Sequence, residues 1–326
     1  MSNTANMSTT NKTVYIVGGP TCTGKSTVAF FLAKRINGEI VNCDSVQLYK
    51  YMDIGSAKPS EKHMAAVPHH LYDFVDPREN FTVAQYQKLA EEKIDDILAR
   101  GKTPILVGGT GLYLNSVLYD MDFAAKPVDM ERRKELEDLG AKYGSDYLHQ
   151  LLSAVDPEAA ARIHPNNLRK IVRAIEAYEL GGSINSMDKL KPNKKYDFRF
   201  YALTMDREWL YDRINKRVIT LIRAGLIDEV KKLRSMGLTL DDPSMKSIGY
   251  KELFPYLDGE TDLKTAVYEI MKNTRRYAKR QMTWLRRYDN VHWVEIRKGE
   301  AVSAVLDQIL ADVPDAKSAN SERQSK

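Results

Sequence analysis

Cysteine is scarce in this sequence, and long apolar runs are absent. The chain has two cysteines, Cys22 and Cys43, too few for a disulfide framework or a cysteine-rich metal site. No apolar run is long enough to cross a bilayer, and the opening residues MSNTANMSTTNK lack the apolar core of a secretion signal. These absences argue against a disulfide-rich secreted protein, and we expect a cytoplasmic protein that makes no membrane contact.

The excess of positive charge is small. Lys and Arg number 49 against 44 Asp and Glu, a formal net charge of +5, which alone favours an acidic partner only weakly. Hydrophobic residues make up 43% of the chain, enough to form a buried core. The 326 residues exceed the usual size of one domain, ~100–200 residues, so we expect two domains or one with a large insertion.

The order of apolar runs and helical patterns predicts the fold class. Strands are predicted at TVYIVGG, EIVNCD, TPILVGG, FRFYALTM and VHWVEI, with helical patterns between them, as in a parallel sheet covered by helices. Residues 121–197 show helical periodicity alone. The prediction is an α/β fold, a parallel sheet in residues 13–120 and 198–312 with an all-helical insertion, and the glycine-rich stretch GPTCTGKS after the first strand makes this sheet P-loop NTPase-like. The polar tails 1–12 and 313–326 are predicted to be disordered.

The stretch GPTCTGKS joins the first predicted strand to the first predicted helix. Gly19 and Gly24 allow backbone N–H groups to turn toward an anion, and the helix N-terminus adds its positive end. Lys25 supplies a point charge, and Ser26 can hold a Mg²⁺ ion that bridges two phosphoryl groups. The stretch therefore predicts a polyphosphate site formed by Gly19, Pro20, Thr21, Cys22, Thr23, Gly24, Lys25 and Ser26.

An acid is missing where a nucleotide hydrolase would have one. Such enzymes place a carboxylate at the end of a buried strand to position Mg²⁺, but the run ILVGGT has Gly108 and Gly109 there. The nearest acid is Asp44, at the end of the second predicted strand, where open α/β sheets bind ligands. As a metal ligand Asp44 would suit a kinase, and as a general base it would suit deprotonation of a nucleophile.

Positive charge is concentrated in the run KNTRRYAKRQMTWLRR, residues 272–287, which contains seven Lys or Arg and no acid. On a helix, five of these side chains share one stripe. Solvated faces usually mix the two signs, so an all-basic stripe favours a polyanion, either nucleic-acid phosphates or the diphosphate itself. The insertion carries a second basic group, Arg169, Lys170 and Arg173.

Several long blocks occur together in one order. They are GPTCTGKS, DSVQLYKYMDIGSAKP, PHHLYDFVDP, LVGGTGLYL, RIHPNNLRKIVRAIEAYELGG, IGYKEL and RRYAKRQMTWLR. In this order and spacing they closely resemble the tRNA dimethylallyltransferases, also called tRNA isopentenyltransferases, from about residue 13 to residue 295. That family transfers a dimethylallyl group from dimethylallyl diphosphate to N6 of the adenosine directly 3′ of the anticodon, in tRNAs that read codons beginning with U. The absence of an appended cysteine-rich finger implies a bacterial type.

The resemblance implies roles for individual residues. The phosphate loop would hold the donor diphosphate with Mg²⁺ and an arginine of the basic helix, Arg276. Asp44 would be the general base, with Thr110 and Lys25 as further catalytic residues. If so, an Asp44→Ala variant should lose turnover and keep its tRNA affinity. The residues implied to contact tRNA, at its anticodon stem-loop, are Asp44, Ser45, Val46, Gln47, Thr110, Arg133, Arg169, Lys170, Ile171, Val172, Arg173 and Lys251.

Three other functions compete with this one. A P-loop kinase of small metabolites would explain the loop and Asp44, but not the basic insertion. An adenylate isopentenyltransferase would use free AMP, ADP or ATP as acceptor and would have less need of that insertion. A non-catalytic RNA-binding module would leave the intact loop and Asp44 without a use. The family resemblance also implies a monomer.

Overall fold

The structure, a computed structural model, describes residues 12–121, 129–180 and 190–311. Contacts divide the chain into two compact units. The described residues of Met1–Leu118 and Asn193–Lys326 form a sheet-bearing unit, and those of Tyr119–Pro192 form a helical unit. Apart from Lys12, the predicted disordered tails lie outside the described residues.

The sheet-bearing unit contains one six-stranded sheet in which every pairing is parallel. The strand order is β3-β2-β4-β1-β5-β6, which confirms the predicted α/β class. A strand of two residues, β3, was not predicted, because so short a strand has no periodicity to read. The strands are β1 Thr13–Gly18, β2 Gly38–Cys43, β3 His69–His70, β4 Thr103–Gly108, β5 Asp197–Thr204 and β6 Val291–Glu295.

Helices cover the sheet, so its inner strands are almost wholly buried. Val28 and Leu32 of α1 (Lys25–Arg35) pack with Leu306 and Ile309 of α13 (Val302–Leu310) in one core cluster with strand side chains. At the start of α3 (Val83–Ala99), Thr82 and Gln85 form a complete capping box. The helices of this unit are α1 Lys25–Arg35, α2 Glu61–Ala66, α3 Val83–Ala99, α4 Gly111–Leu118, α9 Arg207–Arg223, α10 Leu226–Ser235, α11 Leu253–Leu257, α12 Leu263–Leu285 and α13 Val302–Leu310.

The helical unit has its own core, in which Leu148, Leu152, Ile171 and Ile175 are among the buried residues. No strand occurs in its described part, as the sequence predicts. Its helices are α5 Met130–Tyr143, α6 Ser145–Val155, α7 Pro157–Arg162 and α8 Leu168–Glu179.

The boundary between the units differs from the predicted one, which placed 121–197 in the insertion. Residues from Asn193 onward belong to the sheet-bearing unit. The Asn193 backbone N–H donates to the Leu118 carbonyl at 2.9 Å, and the Tyr196 hydroxyl donates to Asp95 of α3 at 2.9 Å. The polar composition of this stretch hid those long-range contacts, so the predicted end was a few residues late.

Among the described helices, none has both the length and the apolar character needed to cross a membrane.

Candidate active site

The strand order brings three chain segments to one edge of the sheet. Strand β4 lies between β1 and β2, and all three run in the same direction. The segments that follow their carboxyl ends are the GPTCTGKS loop after β1, Asp44 after β2 and Thr110 after β4. The carboxyl edge of a parallel sheet is where such folds bind ligands.

The loop after β1 has the backbone of an anion-binding turn. Gly19 has φ 142° and Gly24 has φ 93°, values that a side chain would strain. A Cβ at Gly19 would also lie 2.7 Å from the Leu203 carbonyl oxygen. No side chain caps the first turn of α1, so its N–H groups remain available to a bound anion.

Lys25 is held inside this loop. Its Nζ donates to the Pro20 carbonyl at 2.8 Å, an oxygen that also accepts the Thr23 hydroxyl at 2.8 Å. Burial lowers the pKa of Lys25 to about 8, an effect that the negative charge of Asp44 partly offsets. A bound diphosphate would favour the charged lysine further.

One oxygen of Asp44 organises the chain that follows it. Oδ1 accepts the N–H of Val46 at 2.8 Å and that of Gln47 at 3.4 Å. The Asp44 N–H donates to Asn42 Oδ1 at 2.9 Å, which fixes the turn from the strand side. Within the described ranges, no hydrogen bond is formed to Oδ2 of Asp44, so this oxygen can accept a proton from a substrate.

Thr110 connects the end of β4 to the segment after β2. Its hydroxyl oxygen accepts the Ser45 N–H at 3.1 Å, and its own N–H donates to the Cys43 carbonyl at 3.3 Å. Burial, with the charge of Asp44, raises the pKa of the Tyr277 phenol on α12, and an interaction with Thr110 partly offsets the rise.

The two glycines before Thr110 leave no room for a strand-end acid. A Cβ at Gly108 would lie 2.0 Å from the Cys43 carbonyl oxygen, and one at Gly109 would lie 2.3 Å from Gln281 Nε2. These contacts explain sterically why the sequence has no acid at these two positions. The site is therefore built without the Mg²⁺-positioning carboxylate of nucleotide hydrolases.

Gln281 of α12 joins two of the three segments, and sequence reasoning missed it. Its Oε1 accepts the Thr21 N–H at 2.8 Å, and its Nε2 donates to the Gly109 carbonyl at 3.0 Å. The side chain is 4% exposed, so both ends of the amide are used away from solvent. The signal in the sequence was an uncharged polar residue inside the strongly basic run.

An arginine contacts the phosphate loop, and it comes from α9. Arg213 Nε donates to the Cys22 carbonyl at 3.0 Å, and its guanidinium lies over the Trp209 ring. On α12, Arg275 donates to Asn215 at 2.6 Å, whereas the predicted contact Arg276 is exposed. Contact of Arg276 with the diphosphate stays a prediction, and Arg213 is a second candidate for this contact. The sequence did not reveal Arg213, because acidic and basic residues alternate around it.

The residues predicted to contact tRNA divide by exposure. Arg169, Lys170 and Arg173 are exposed on α8. Ile171 and Val172 are buried in the core of the helical unit, because helical periodicity turns these side chains inward, and their contact with tRNA stays a prediction.

Two further residues predicted to contact tRNA, Arg133 and Lys251, differ in how closely an acidic side chain binds them. Arg133 forms two 2.9 Å hydrogen bonds to the Glu176 carboxylate, which joins α5 to α8. A contact of Arg133 with RNA would have to compete with this pair. Lys251 is exposed, with its Nζ 3.8 Å from Glu252.

The metal predicted from the loop would be held mainly by the substrate. Across the described ranges, no group of three or more His, Cys, Asp and Glu is placed to hold a metal ion. Mg²⁺ bound to phosphates needs only one or two protein ligands. Ser26 is exposed in the first turn of α1, where it can be such a ligand. The residues present therefore fit a Mg²⁺ ion shared between Ser26 and a diphosphate.

Comparison with known proteins gives one consistent result. A model of the family described as IPP transferase matches residues 47–288. The tRNA dimethylallyltransferase of Alkaliphilus oremlandii (strain OhILAs) is 47% identical over 303 residues, 92% of this chain and 97% of that protein. The crystal structure of a full-length tRNA isopentenylpyrophosphate transferase from Bacillus halodurans is 41% identical, covers 96% of this chain and 100% of that one, and has a TM-score of 0.71. A eukaryotic dimethylallyltransferase acting on tRNA is 27% identical with a TM-score of 0.77, over 95% of this chain and 78% of that one.

Proposed function

The chain belongs to the IPP transferase family, and on that premise we propose that it is a tRNA dimethylallyltransferase. It transfers the dimethylallyl group of dimethylallyl diphosphate to N6 of the adenosine 3′-adjacent to the anticodon. The acceptors are tRNAs that read codons beginning with U, and diphosphate is released. The observation that carries this proposal is the meeting of the phosphate loop, Asp44 and Thr110 at one sheet edge.

The geometry supports a division of labour between two segments. An exocyclic amine is a weak nucleophile, and the Oδ2 atom of Asp44 takes its proton as the new C–N bond forms. The bond from the allylic carbon to the diphosphate oxygen breaks, and the leaving group takes the electron pair. The N–H groups of the first turn of α1 and the Lys25 ammonium stabilise the charge that develops on it. Ser26 would hold a Mg²⁺ ion, which would supply further neutralisation of the diphosphate.

The acceptor base has to leave the anticodon stack to reach a carboxylate at a sheet edge. Unstacking costs a few kcal/mol, which contacts in the pocket offset. Ser45, Val46 and Gln47 receive the base beside Asp44, and the Thr110–Ser45 hydrogen bond supports this segment. The exposed cations of α8, with Lys251, contact RNA phosphates of the anticodon stem. Cytoplasmic location remains a prediction from the sequence, and a monomeric state remains one from the family resemblance.

The steric exclusion of an acid after β4 leaves the kinase alternative with Asp44 as its nearest candidate metal ligand, and that alternative gives no use to the basic residues of the insertion. For the adenylate isopentenyltransferase alternative, the relevant observation is the basic face of α8, which a free nucleotide acceptor would not require.

The test is a transfer reaction with labelled dimethylallyl diphosphate, Mg²⁺ and an unmodified tRNA that reads codons beginning with U. Nuclease digestion and mass spectrometry locate the added group. We expect one dimethylallyl adduct, on the adenosine 3′ of the anticodon, and none when that adenosine is replaced by guanosine. Modification elsewhere in the tRNA, or none at all, would contradict the proposal.

A further inference from the structure

The carboxylate of Glu229 on α10 is buried and binds a loop that contacts the segment proposed to receive the acceptor base. The Glu229 side chain accepts the backbone N–H groups of Asp53 at 2.8 Å, Ile54 at 2.7 Å and Gly55 at 2.9 Å. It also accepts the Tyr250 hydroxyl at 2.7 Å. Four donors thus converge on one carboxylate that is 9% exposed. We call residues 51–58 the acceptor-side loop.

No described cation forms a salt bridge with this carboxylate. The groups that stabilise it are the three N–H dipoles, the phenol and the N-terminus of α10, in whose first turn Glu229 lies. Successive N–H groups that converge in this way form an anion-binding concavity. Here the anion belongs to the protein itself, and its effect is to fix the conformation of the loop.

The acceptor-side loop is strained and needs such support. Tyr51 and Ala57, near its two ends, have φ 65° and φ 56°, a region that residues with a Cβ disfavour. Strained backbone persists only where its surroundings determine it. The Tyr250 ring adds to this, because it packs directly on Gly55, where a Cβ would lie 2.6 Å from ring atoms.

The loop is connected directly to the segment beside Asp44. Gln47 Nε2 donates to the carbonyls of Ser56 at 3.0 Å and Ala57 at 3.2 Å. Gln47 also donates its backbone N–H to Asp44 Oδ1 at 3.4 Å. A shift of residues 53–55 would therefore move the partners of Gln47, and with them the segment proposed to receive the base.

We propose that Glu229, together with the Tyr250 hydroxyl, is a positioning residue for the tRNA acceptor. It acts through the acceptor-side loop and Gln47 and touches neither substrate. This inference rests on the proposed function, because it assigns residues 44–47 to the acceptor base. It has no part in donor binding, because the phosphate loop is fixed by separate contacts, those of Gln281 and Arg213.

The test compares the steady-state kinetics of wild type with those of Glu229→Gln. Glutamine keeps the shape, but it turns an NH₂ group toward backbone donors and leaves at least one of them without an acceptor. We expect the KM for tRNA to rise about tenfold and kcat to fall, with the KM for dimethylallyl diphosphate unchanged within about twofold. Hydrogen exchange of residues 53–55 should become faster.

Two further variants separate positioning from general destabilisation. Tyr250→Phe removes one of the four donors and keeps the ring on Gly55, so it should shift the tRNA KM in the same direction by a smaller factor. Glu39→Gln is the matched control, because Glu39 is another buried carboxylate with several partners, Arg100, Lys102 and His70. Glu39 lies near the start of β2, at the opposite edge of the sheet from Asp44.

The outcomes separate this inference from the proposed function. Wild-type enzyme without transfer to tRNA would overturn both. If wild type is active, an unchanged tRNA KM in Glu229→Gln would overturn the positioning role alone. Equal changes in both KM values, matching those of Glu39→Gln, would also overturn it, because they would indicate only a less stable protein.

Discussion

At the scale of single residues, function depends on which atoms of a side chain are already engaged. Asp44 uses one oxygen to hold the backbone of the next residues and leaves the other open. A change at this position can therefore remove the base, or remove both the base and the turn. This modifies the expectation from sequence that an alanine variant would keep its tRNA affinity.

We expect Asp44→Asn and Asp44→Ala to differ. Asparagine keeps an Oδ1 acceptor for the Val46 N–H, so it should lower kcat by about 10²-fold or more and change the tRNA KM little. Alanine removes the turn as well and should also raise the tRNA KM. Single-turnover rates and filter binding measure the two effects. Equal tRNA affinity in both variants would contradict the structural role of Oδ1.

Lys25 makes donor binding depend on pH. Its pKa is lowered to about 8 by burial, whereas a bound diphosphate favours the charged form. Affinity for dimethylallyl diphosphate should be constant well below pH 8 and then fall about tenfold per pH unit above it. Titration calorimetry near pH 8.5 should detect proton uptake on binding. Lys25→Arg, which stays charged, should lack the dependence, and a flat profile in wild type would contradict this account.

The same shift has a consequence for stability, with a definite sign. The unfolded chain binds the Lys25 proton more tightly than the folded one, because the ordinary lysine pKa of 10.5 is lowered to about 8. Its contribution to the free energy of unfolding therefore increases with pH between these two values.

Single residues show what the sequence could and could not indicate. The loop residues, Asp44 and Thr110 were accessible because each lies in a local motif. Gln281, Arg213 and Glu229 were not, because the backbone groups that they contact are more than a hundred residues away in sequence. The burial of Ile171 and Val172 was not anticipated, because the whole block 169–173 was carried over without regard to which helix face each residue occupies.

At the scale of elements, helix α12 determines how donor and acceptor segments sit against each other. Its face with Tyr277, Gln281 and Trp284 packs onto the residues after β1 and β4, and Tyr288, just past the end of the helix, joins this contact. The sequence predicted the strands and helices by their periodicity, but not that β1 and β4 would be neighbours. Pairing order depends on long-range packing that local patterns do not contain.

Loss of the Gln281 amide should loosen the phosphate loop. Gln281→Leu keeps the approximate volume but leaves the Thr21 N–H and the Gly109 carbonyl without partners. Each buried unpaired group costs about 1–3 kcal/mol, so we expect a lower melting temperature and a KM for dimethylallyl diphosphate raised about tenfold or more. Thr283→Leu, at an exposed position of the same helix, is the control. A donor KM equal to that of wild type would show that Gln281 is not needed to hold the loop.

At the scale of the whole molecule, charge is distributed unevenly although the net excess is small. The exposed cations of α8 lie on the helical unit, whereas the chemistry belongs to the sheet-bearing unit. Composition could not show this separation, but the helical pattern of residues 121–197 did predict a separate unit. The boundary of this unit could not be predicted, because it depends on the long-range contact of Asn193 with Leu118, which only the fold reveals.

Removal of the α8 cations should weaken tRNA binding in a salt-dependent manner. The triple variant Arg169→Ala, Lys170→Ala, Arg173→Ala should raise the tRNA KM and lower the slope of log affinity against log salt by about 2–3. The donor KM should not change. A matched triple at the exposed Lys231, Lys264 and Lys298 should have little effect. An equal loss in both triples would indicate nonspecific attraction in place of a binding face.

The central claim is that the GPTCTGKS loop holds the diphosphate of a prenyl donor whose acceptor is tRNA. The most direct measurement offers labelled dimethylallyl diphosphate and Mg²⁺ to the enzyme with unmodified tRNA and free AMP in the same reaction. We predict label in tRNA alone, and no turnover of added ATP. Label in AMP would indicate an adenylate isopentenyltransferase, and ATP turnover with no label in either acceptor would contradict the account.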